Sequence, residues 1–84
     1  MNLNFQINNL LKEFELGDKL RAYKKLQKIF KENKQNNLLR YNLAVIQENL
    51  HLNKEARENY NYLIDTENNL KAMINLYNLD IREV

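Results

Sequence analysis

Few residues in this chain have the chemistry of an active site. The sequence contains no serine and no cysteine, and its only histidine and threonine are His51 and Thr66. Serine and cysteine nucleophiles are therefore excluded, and so is a disulfide framework. Because Gly17 is the single glycine, a glycine-rich phosphate loop is excluded as well. These absences predict that the chain is not an enzyme and holds no cofactor.

Two pairs of side chains do have a spacing that suits chemistry. Glu48 and His51 are three residues apart, as are the glutamate and histidine that di-iron helical bundles place on one helix face. Such a site needs a second copy of the pair, which a single histidine cannot supply, so we predict no metal site. Glu55 and Glu58 are one helical turn apart, but lysine and arginine neighbours favour a solvated face over an acid and base pair.

The charge balance and the apolar pattern limit the classes of partner. Thirteen basic against eleven acidic residues give a net charge of +2, which is too small to indicate a nucleic-acid or membrane partner. The first residues lack the basic region and continuous apolar stretch of a secretory signal, and no stretch has the length of a membrane span. We therefore expect a soluble, cytoplasmic protein.

Apolar residues recur with the period of an α-helix. The spacing i, i+4, i+7, i+11 occurs three times, starting at Leu3, Leu39 and Leu70, and two more amphipathic stretches lie between these lines. The chain has no proline and few β-branched residues, which favours helices throughout. We predict an all-α chain with five helices over residues 3–16, 18–33, 37–51, 53–65 and 69–82. The short connections predict antiparallel neighbours.

Residues suited to capping lie at each predicted boundary. Gly17 is expected to adopt the left-handed conformation after the first helix, and Asp18 to cap the second. For the third, fourth and fifth helices the predicted caps are asparagines: Asn36 or Asn37, Asn53 and Asn68.

A period of 34 residues relates two parts of the chain. Ala22 and Ala56 are 34 residues apart, and each is followed four positions later by a large apolar residue, Leu26 or Tyr60. Ala44 lies twelve residues before Ala56. This pattern resembles the tetratricopeptide repeat, a helix-turn-helix unit of 34 residues whose small residues let the paired helices approach closely.

The resemblance covers two units and one further helix. The units extend over about 3–36 and 37–69 and the terminal helix over about 69–82, within a single domain of residues 1–84 that would form an α-solenoid. His51 stands where the second unit of the family has glycine. An irregular five-helix bundle is the alternative architecture.

The resemblance implies a non-catalytic protein–protein interaction module. In tetratricopeptide proteins the first helix of each unit lines a concave groove that receives a peptide or partner helix. The groove candidates here are Leu38, Tyr41, Asn42, Val45, Glu48, Asn49, Lys71 and Asn75. Alternatively, Leu38 and Val45 pack against the first or the fifth helix. The alternatives are an N-terminal accessory segment of a larger enzyme, such as a transferase, and a self-associating helical protein.

The fifth helix carries two apolar lines. The wider line is predicted to pack on the third and fourth helices and consists of Leu70, Met73, Ile74, Tyr77 and Ile81. That packing would leave the second line exposed, namely Ala72, Leu76 and Leu79. Three explanations for this second line are open: a following part of a longer repeat array or multidomain protein covers it, it associates with another copy of the chain, or it is a tolerated scatter of apolar residues. The second line is therefore a candidate association surface.

Overall fold

A computed structural model describes residues 2–83, and all regular structure in this range is helical. The helices are α1 (Leu3–Leu16), α2 (Lys19–Glu32), α3 (Asn37–Asn49), α4 (Asn53–Glu67) and α5 (Leu70–Arg82). The prediction of an all-α chain with five helices is confirmed, and each helix ends within two residues of its predicted position. Within residues 2–83, no helix combines the length and the apolar character that a membrane crossing requires.

The chain divides into two compact units between Leu39 and Arg40. In the first unit α1 and α2 pack against each other as a hairpin. Glu13, near the end of α1, lies 4.0 Å from Arg21 and 3.6 Å from Lys25 in the first two turns of α2, so the two helices run antiparallel. The apolar side chains that these helices bury are Ile7, Leu10, Phe14, Ala22, Tyr23 and Leu26.

The second unit contains most of α3 together with α4 and α5. Its core is a cluster of buried residues with three alanines among them: Ala44, Ala56, Tyr60, Leu63, Ala72 and Leu79. The side chains of Ala44, Ala56 and Ala72 are fully buried. Because alanine adds only a methyl group, each of the three helices brings its backbone close to the cluster. Ala44 and Ala56 are the small positions expected from the sequence.

Two of the predicted helix caps are confirmed. The Asp18 carboxylate accepts a hydrogen bond from the Arg21 amide at 3.1 Å, and the Asn36 side chain accepts one from the Leu39 amide at 2.9 Å. Each bond satisfies one of the amide groups that the first turn of a helix leaves without a partner.

Two other predicted caps are wrong by one residue. Asn53 is the first residue of α4, and the preceding Leu52 makes no capping bond through its side chain. Asn69, rather than Asn68, caps α5 by accepting from the Ala72 amide at 3.0 Å. Asn68 instead ends α4 in the left-handed conformation, with φ of 52°. Sequence alone could not separate these roles because asparagine suits both.

The expected left-handed conformation of Gly17 is also wrong, since its φ is −136°. The amide of Gly17 donates to the carbonyl oxygen of Glu13 at 2.8 Å. A Cβ atom at position 17 would lie 3.2 Å from that same oxygen. Glycine is therefore suited to this turn by the close approach of its backbone.

The left-handed conformation occurs instead at His51, where φ is 61°. The His51 amide donates to the Glu48 carbonyl at 3.1 Å, and the Leu52 amide donates to the Gln47 carbonyl at 2.8 Å. This pair of bonds is the Schellman motif that ends many helices, with His51 at the position usually occupied by glycine.

Replacing His51 by glycine should stabilise the protein, because the left-handed conformation costs a residue with a Cβ roughly 1 kcal/mol. We expect His51→Gly to raise the free energy of unfolding by about 0.5–1 kcal/mol in urea titrations. Asn68→Gly is the matched control with a smaller expected gain, since asparagine tolerates this conformation better. A lower free energy of unfolding for His51→Gly than for His51→Ala would contradict the assignment.

Candidate functional site

Four of the predicted groove residues share one face of α3. Leu38, Asn42, Val45 and Asn49 follow the spacing i, i+4, i+7, i+11, which places them in one line along the helix. Leu38 and Asn49 are exposed, and Asn42 and Val45 are half-buried. The fully buried residues of α3 lie on the other side of the helix, so this line is accessible to a partner.

Three further groove candidates are joined by hydrogen bonds around a buried tyrosine. The Asn75 side-chain amide donates to the hydroxyl of Tyr41 at 2.8 Å and to the hydroxyl of Tyr60 at 3.3 Å. The Tyr60 hydroxyl in turn donates to a carboxylate oxygen of Glu48 at 2.9 Å. We call Tyr41, Glu48, Tyr60 and Asn75 the Tyr60 network. It links α3, α4 and α5, and sequence reasoning missed its central residue.

The contacts between α3 and α5 have a constant offset along the chain. Asn75 bonds to Tyr41 and Arg82 bonds to Glu48, and the two residues of each pair are 34 positions apart. Because both pairs have the same offset, α3 and α5 run parallel and in register. Helix α4 runs antiparallel to α5, since Arg57 near its start bonds to Asp80 near the end of α5 at 2.7 Å.

Burial controls the ionisation of the central tyrosine. Tyr60 has no exposed surface, and this burial raises the pKa of its hydroxyl well above the ordinary value. The hydrogen bond to Glu48 raises the pKa further, because ionisation would remove the donated proton and set two negative charges together. The hydrogen bond from Asn75 acts in the opposite direction and is a smaller effect. The hydroxyl therefore stays protonated and serves as a structural donor.

A second polar cluster ties α3 to α4. Arg40 donates to the Asn59 side-chain oxygen at 3.0 Å, and the Asn59 amide donates to the buried Gln47 at 2.8 Å. The Arg40 guanidinium lies 3.7 Å from the centroid of the Tyr62 ring, and its burial lowers the pKa of Arg40. A polar residue at position 47, four residues after Leu43 in an apolar line, is the sequence signal that could have indicated this cluster.

The remaining groove candidate, Lys71, lies on α5 and is exposed. Lys71, Asn75 and Arg82 follow the spacing i, i+4, i+11 and so share one face of that helix. Arg82 bonds to Glu48 across the two helices. Of the predicted groove residues, the structure joins Tyr41, Glu48 and Asn75 through the Tyr60 network, and Lys71 lies one turn before Asn75 on α5.

The prediction for the two apolar lines of α5 is wrong, because their burial is reversed. Ala72 and Leu79 are 0% and 2% exposed and belong to the core cluster, and Leu76 packs against it. The expected association surface is therefore inside the second unit. The wider apolar line is exposed instead: Leu70, Met73, Ile74, Tyr77 and Ile81. The small side chain of Ala72 explains the reversal, because it lets α5 approach α4 closely.

The pairs considered for chemistry lie at the surface or have other partners. His51 is exposed and lies beyond the end of α3, while Glu48 bonds to Tyr60 and Arg82. Glu55 and Glu58 are exposed on α4. Among residues 2–83 there is no group of three or more histidine, aspartate or glutamate side chains arranged to hold a metal ion.

An open cleft of about 350 Å³ lies between α1 and α2 in the first unit. Leu10 and Ile29 form its apolar part, and Lys25 and Lys28 stand at its edge together with amide side chains. The helical spacing of these lysines in the sequence is typical of a solvated face. Lys25 also lies near Glu13, which offsets part of the positive charge at the cleft.

Comparisons with models of protein families, with curated proteins and with solved structures found no match. Over residues 2–83 the structure on its own identifies an all-helical fold of five helices.

Replacing Tyr60 by phenylalanine should destabilise the second unit. The change keeps the ring but leaves Glu48 without a buried donor and weakens the position of Asn75. We expect the free energy of unfolding to fall by about 1–3 kcal/mol in urea titrations. Tyr77→Phe is the matched control, because Tyr77 is 67% exposed, and it should change stability by less than about 0.5 kcal/mol. Equal effects of the two substitutions would contradict a structural role for the Tyr60 hydroxyl.

The same pair of proteins should differ in their pH dependence. Below pH of about 10, Tyr60 is protonated in both the folded and the unfolded chain, so it adds no pH dependence. Above that pH the unfolded chain releases the proton and the folded chain keeps it, so stability falls by about 1.4 kcal/mol per pH unit. We expect the stability difference between wild type and Tyr60→Phe to be constant below this pH and to shrink above it. A difference that stays constant through pH of about 11 would contradict the raised pKa.

Proposed function

We propose that this chain is a helical-repeat module of the tetratricopeptide kind, which binds a peptide or a partner helix and does no chemistry of its own. The binding surface is the line of α3 formed by Leu38, Asn42, Val45 and Asn49, together with Lys71 on α5. Within the second unit it continues over the exposed parts of Tyr41, Glu48 and Asn75.

The parallel register of α3 and α5 is the observation that supports this proposal most strongly. The pairs Tyr41–Asn75 and Glu48–Arg82 repeat at 34 residues, the length of the unit that the sequence resembles. Helix α4 returns the chain between these two helices, as the second helix of such a unit does. Parallel helices at a constant offset are the arrangement from which repeat proteins build an extended binding surface.

The side chains on this surface favour a partner with amide and apolar groups. Asn42 and Asn49 have amides that both donate and accept hydrogen bonds, which suits the backbone of an extended peptide. Leu38 is 64% exposed and Val45 is half-buried, so two apolar side chains of the partner can each contact one of these positions along the line. Lys71 adds one positive charge at the edge. A partner with several negative charges would therefore form few ion pairs with this surface.

Selection from a phage-displayed library of random peptides tests this surface and shows which peptide chemistry it prefers. We expect enrichment of peptides with apolar and amide side chains, and weaker binding of the selected peptides to Asn42→Ala and Val45→Asp. Loss of contacts at the centre of such a surface commonly reduces affinity by about tenfold or more. The measurement is the dissociation constant of each peptide by fluorescence anisotropy.

The matched controls change exposed residues of α4, which lies outside this surface. Glu55→Ala and Glu58→Ala should leave the dissociation constants unchanged, and circular dichroism should show the same helix content for every variant. If selection enriches no peptide, or if Asn42→Ala and Val45→Asp bind the selected peptides as well as wild type, the proposed surface is wrong.

A further inference from the structure

The exposed apolar face of α5 has the properties of an interface. We call Leu70, Met73, Ile74, Tyr77 and Ile81 the outer face of α5. Their exposed fractions are 68%, 37%, 51%, 67% and 53%, all on one side of a helix of 13 residues. A continuous apolar line of this kind costs solubility unless another surface covers it.

The register of the two parallel helices shows that the equivalent face of α3 is covered. Met73 and Tyr77 lie 34 positions after Leu39 and Leu43, which are 0% and 3% exposed. The offset of 34 is the one observed in the bonds between α3 and α5. The outer face of α5 is thus the exposed counterpart of residues that are buried on α3.

A helix with the chemistry of α4 does not fit the outer face. On α3, the α4 residue Asn59 bonds to Arg40 and Gln47. The residues 34 positions later on α5 are Ile74 and Ile81, which offer no hydrogen bond to such an amide. An amide buried against two isoleucines would lose its hydrogen bonds to water without replacement. The occupant must therefore be apolar where α4 is polar.

A second copy of α5 meets this requirement. Leu70, Ile74, Tyr77 and Ile81 are separated by four, three and four residues, the spacing of an apolar seam between two helices. The intervals of four, three and four residues are the same from either end of the helix. An antiparallel copy therefore places Leu70 opposite Ile81 and Ile74 opposite Tyr77. The two helix dipoles then run in opposite directions, which is the favourable arrangement.

The charged neighbours of the seam are compatible with this pairing. In the antiparallel arrangement Lys71 lies beside Asn78 of the second copy, and Asp80 lies beside its Met73. Asp80 already pairs with Arg57 of its own chain. No like charges face each other across the seam, so electrostatic repulsion does not oppose association.

We propose that the outer face of α5 is a homodimer interface, in which two copies of α5 pack antiparallel through Leu70, Ile74, Tyr77 and Ile81. This interface meets the proposed peptide-binding surface at Lys71, but the pairing of the apolar seam does not depend on peptide binding. A helix of 13 residues is about 20 Å long and covers less area than the roughly 1,200–2,000 Å² of a stable complex. The dimer should therefore form reversibly as the protein concentration rises.

Sedimentation equilibrium from about 1 µM to about 1 mM protein measures the association directly. We expect wild type to change from monomer to dimer within this range, and Ile74→Asp and Tyr77→Asp to remain monomeric. Asn61→Asp introduces the same charge at an exposed position of α4 and should dimerise like wild type. A wild-type chain that stays monomeric throughout, or aspartate variants that still dimerise, would overturn the proposal.

Engineered cysteines test the antiparallel arrangement, since the natural chain has no cysteine. Leu70→Cys and Ile81→Cys proteins should form a disulfide with each other when mixed and oxidised. Neither should form one alone, because equal positions in the antiparallel pair are about 16 Å apart along the axis. Disulfide dimers of each variant alone, without the mixed product, would indicate parallel helices and overturn the proposed pairing.

Discussion

The way the helices of the second unit pack depends on the hydrogen bonds of the Tyr60 hydroxyl. This tyrosine is fully buried at the point where three helices meet, so its polar group must be satisfied inside the protein. Glu48 accepts its proton from α3, and Asn75 donates to it from α5. Since each bond fixes the rotation of one helix about its own axis, the network sets which face of α5 turns inward. The exposed apolar face of α5 follows from this constraint.

The helices themselves could be predicted from the sequence because apolar periodicity is a local property. A chain with no proline and one glycine has few points at which a helix can end, which explains why the predicted ends are close to the observed ones. The burial of Ala44 and Ala56 agrees with what the resemblance to the tetratricopeptide repeat implies for two small residues between paired helices. The left-handed residue His51 was indicated indirectly, by standing where the resembling family has glycine.

The faces that the helices bury could not be predicted with the same reliability. On α5 the wider apolar line is the more hydrophobic, yet Ala72 and Leu79 are the residues that are buried. They fit against α4, and this orientation of α5 also lets the Asn75 side chain bond to Tyr60. Shape complementarity and hydrogen bonds between different helices determine which face is buried. Neither can be deduced from the sequence of one helix alone. The asparagines show the same limit: Asn69 caps a helix, while Asn68 ends one.

The contact between Asn75 and the two tyrosines is the most direct test of the register between α3 and α5. A nuclear Overhauser spectrum of the chain should show cross-peaks from the side-chain amide of Asn75 to the ring protons of both Tyr41 and Tyr60. We expect both sets of cross-peaks in the monomer at neutral pH. Their absence, with the Asn75 amide at the chemical shift of a solvent-exposed asparagine, would contradict the 34-residue register between α3 and α5.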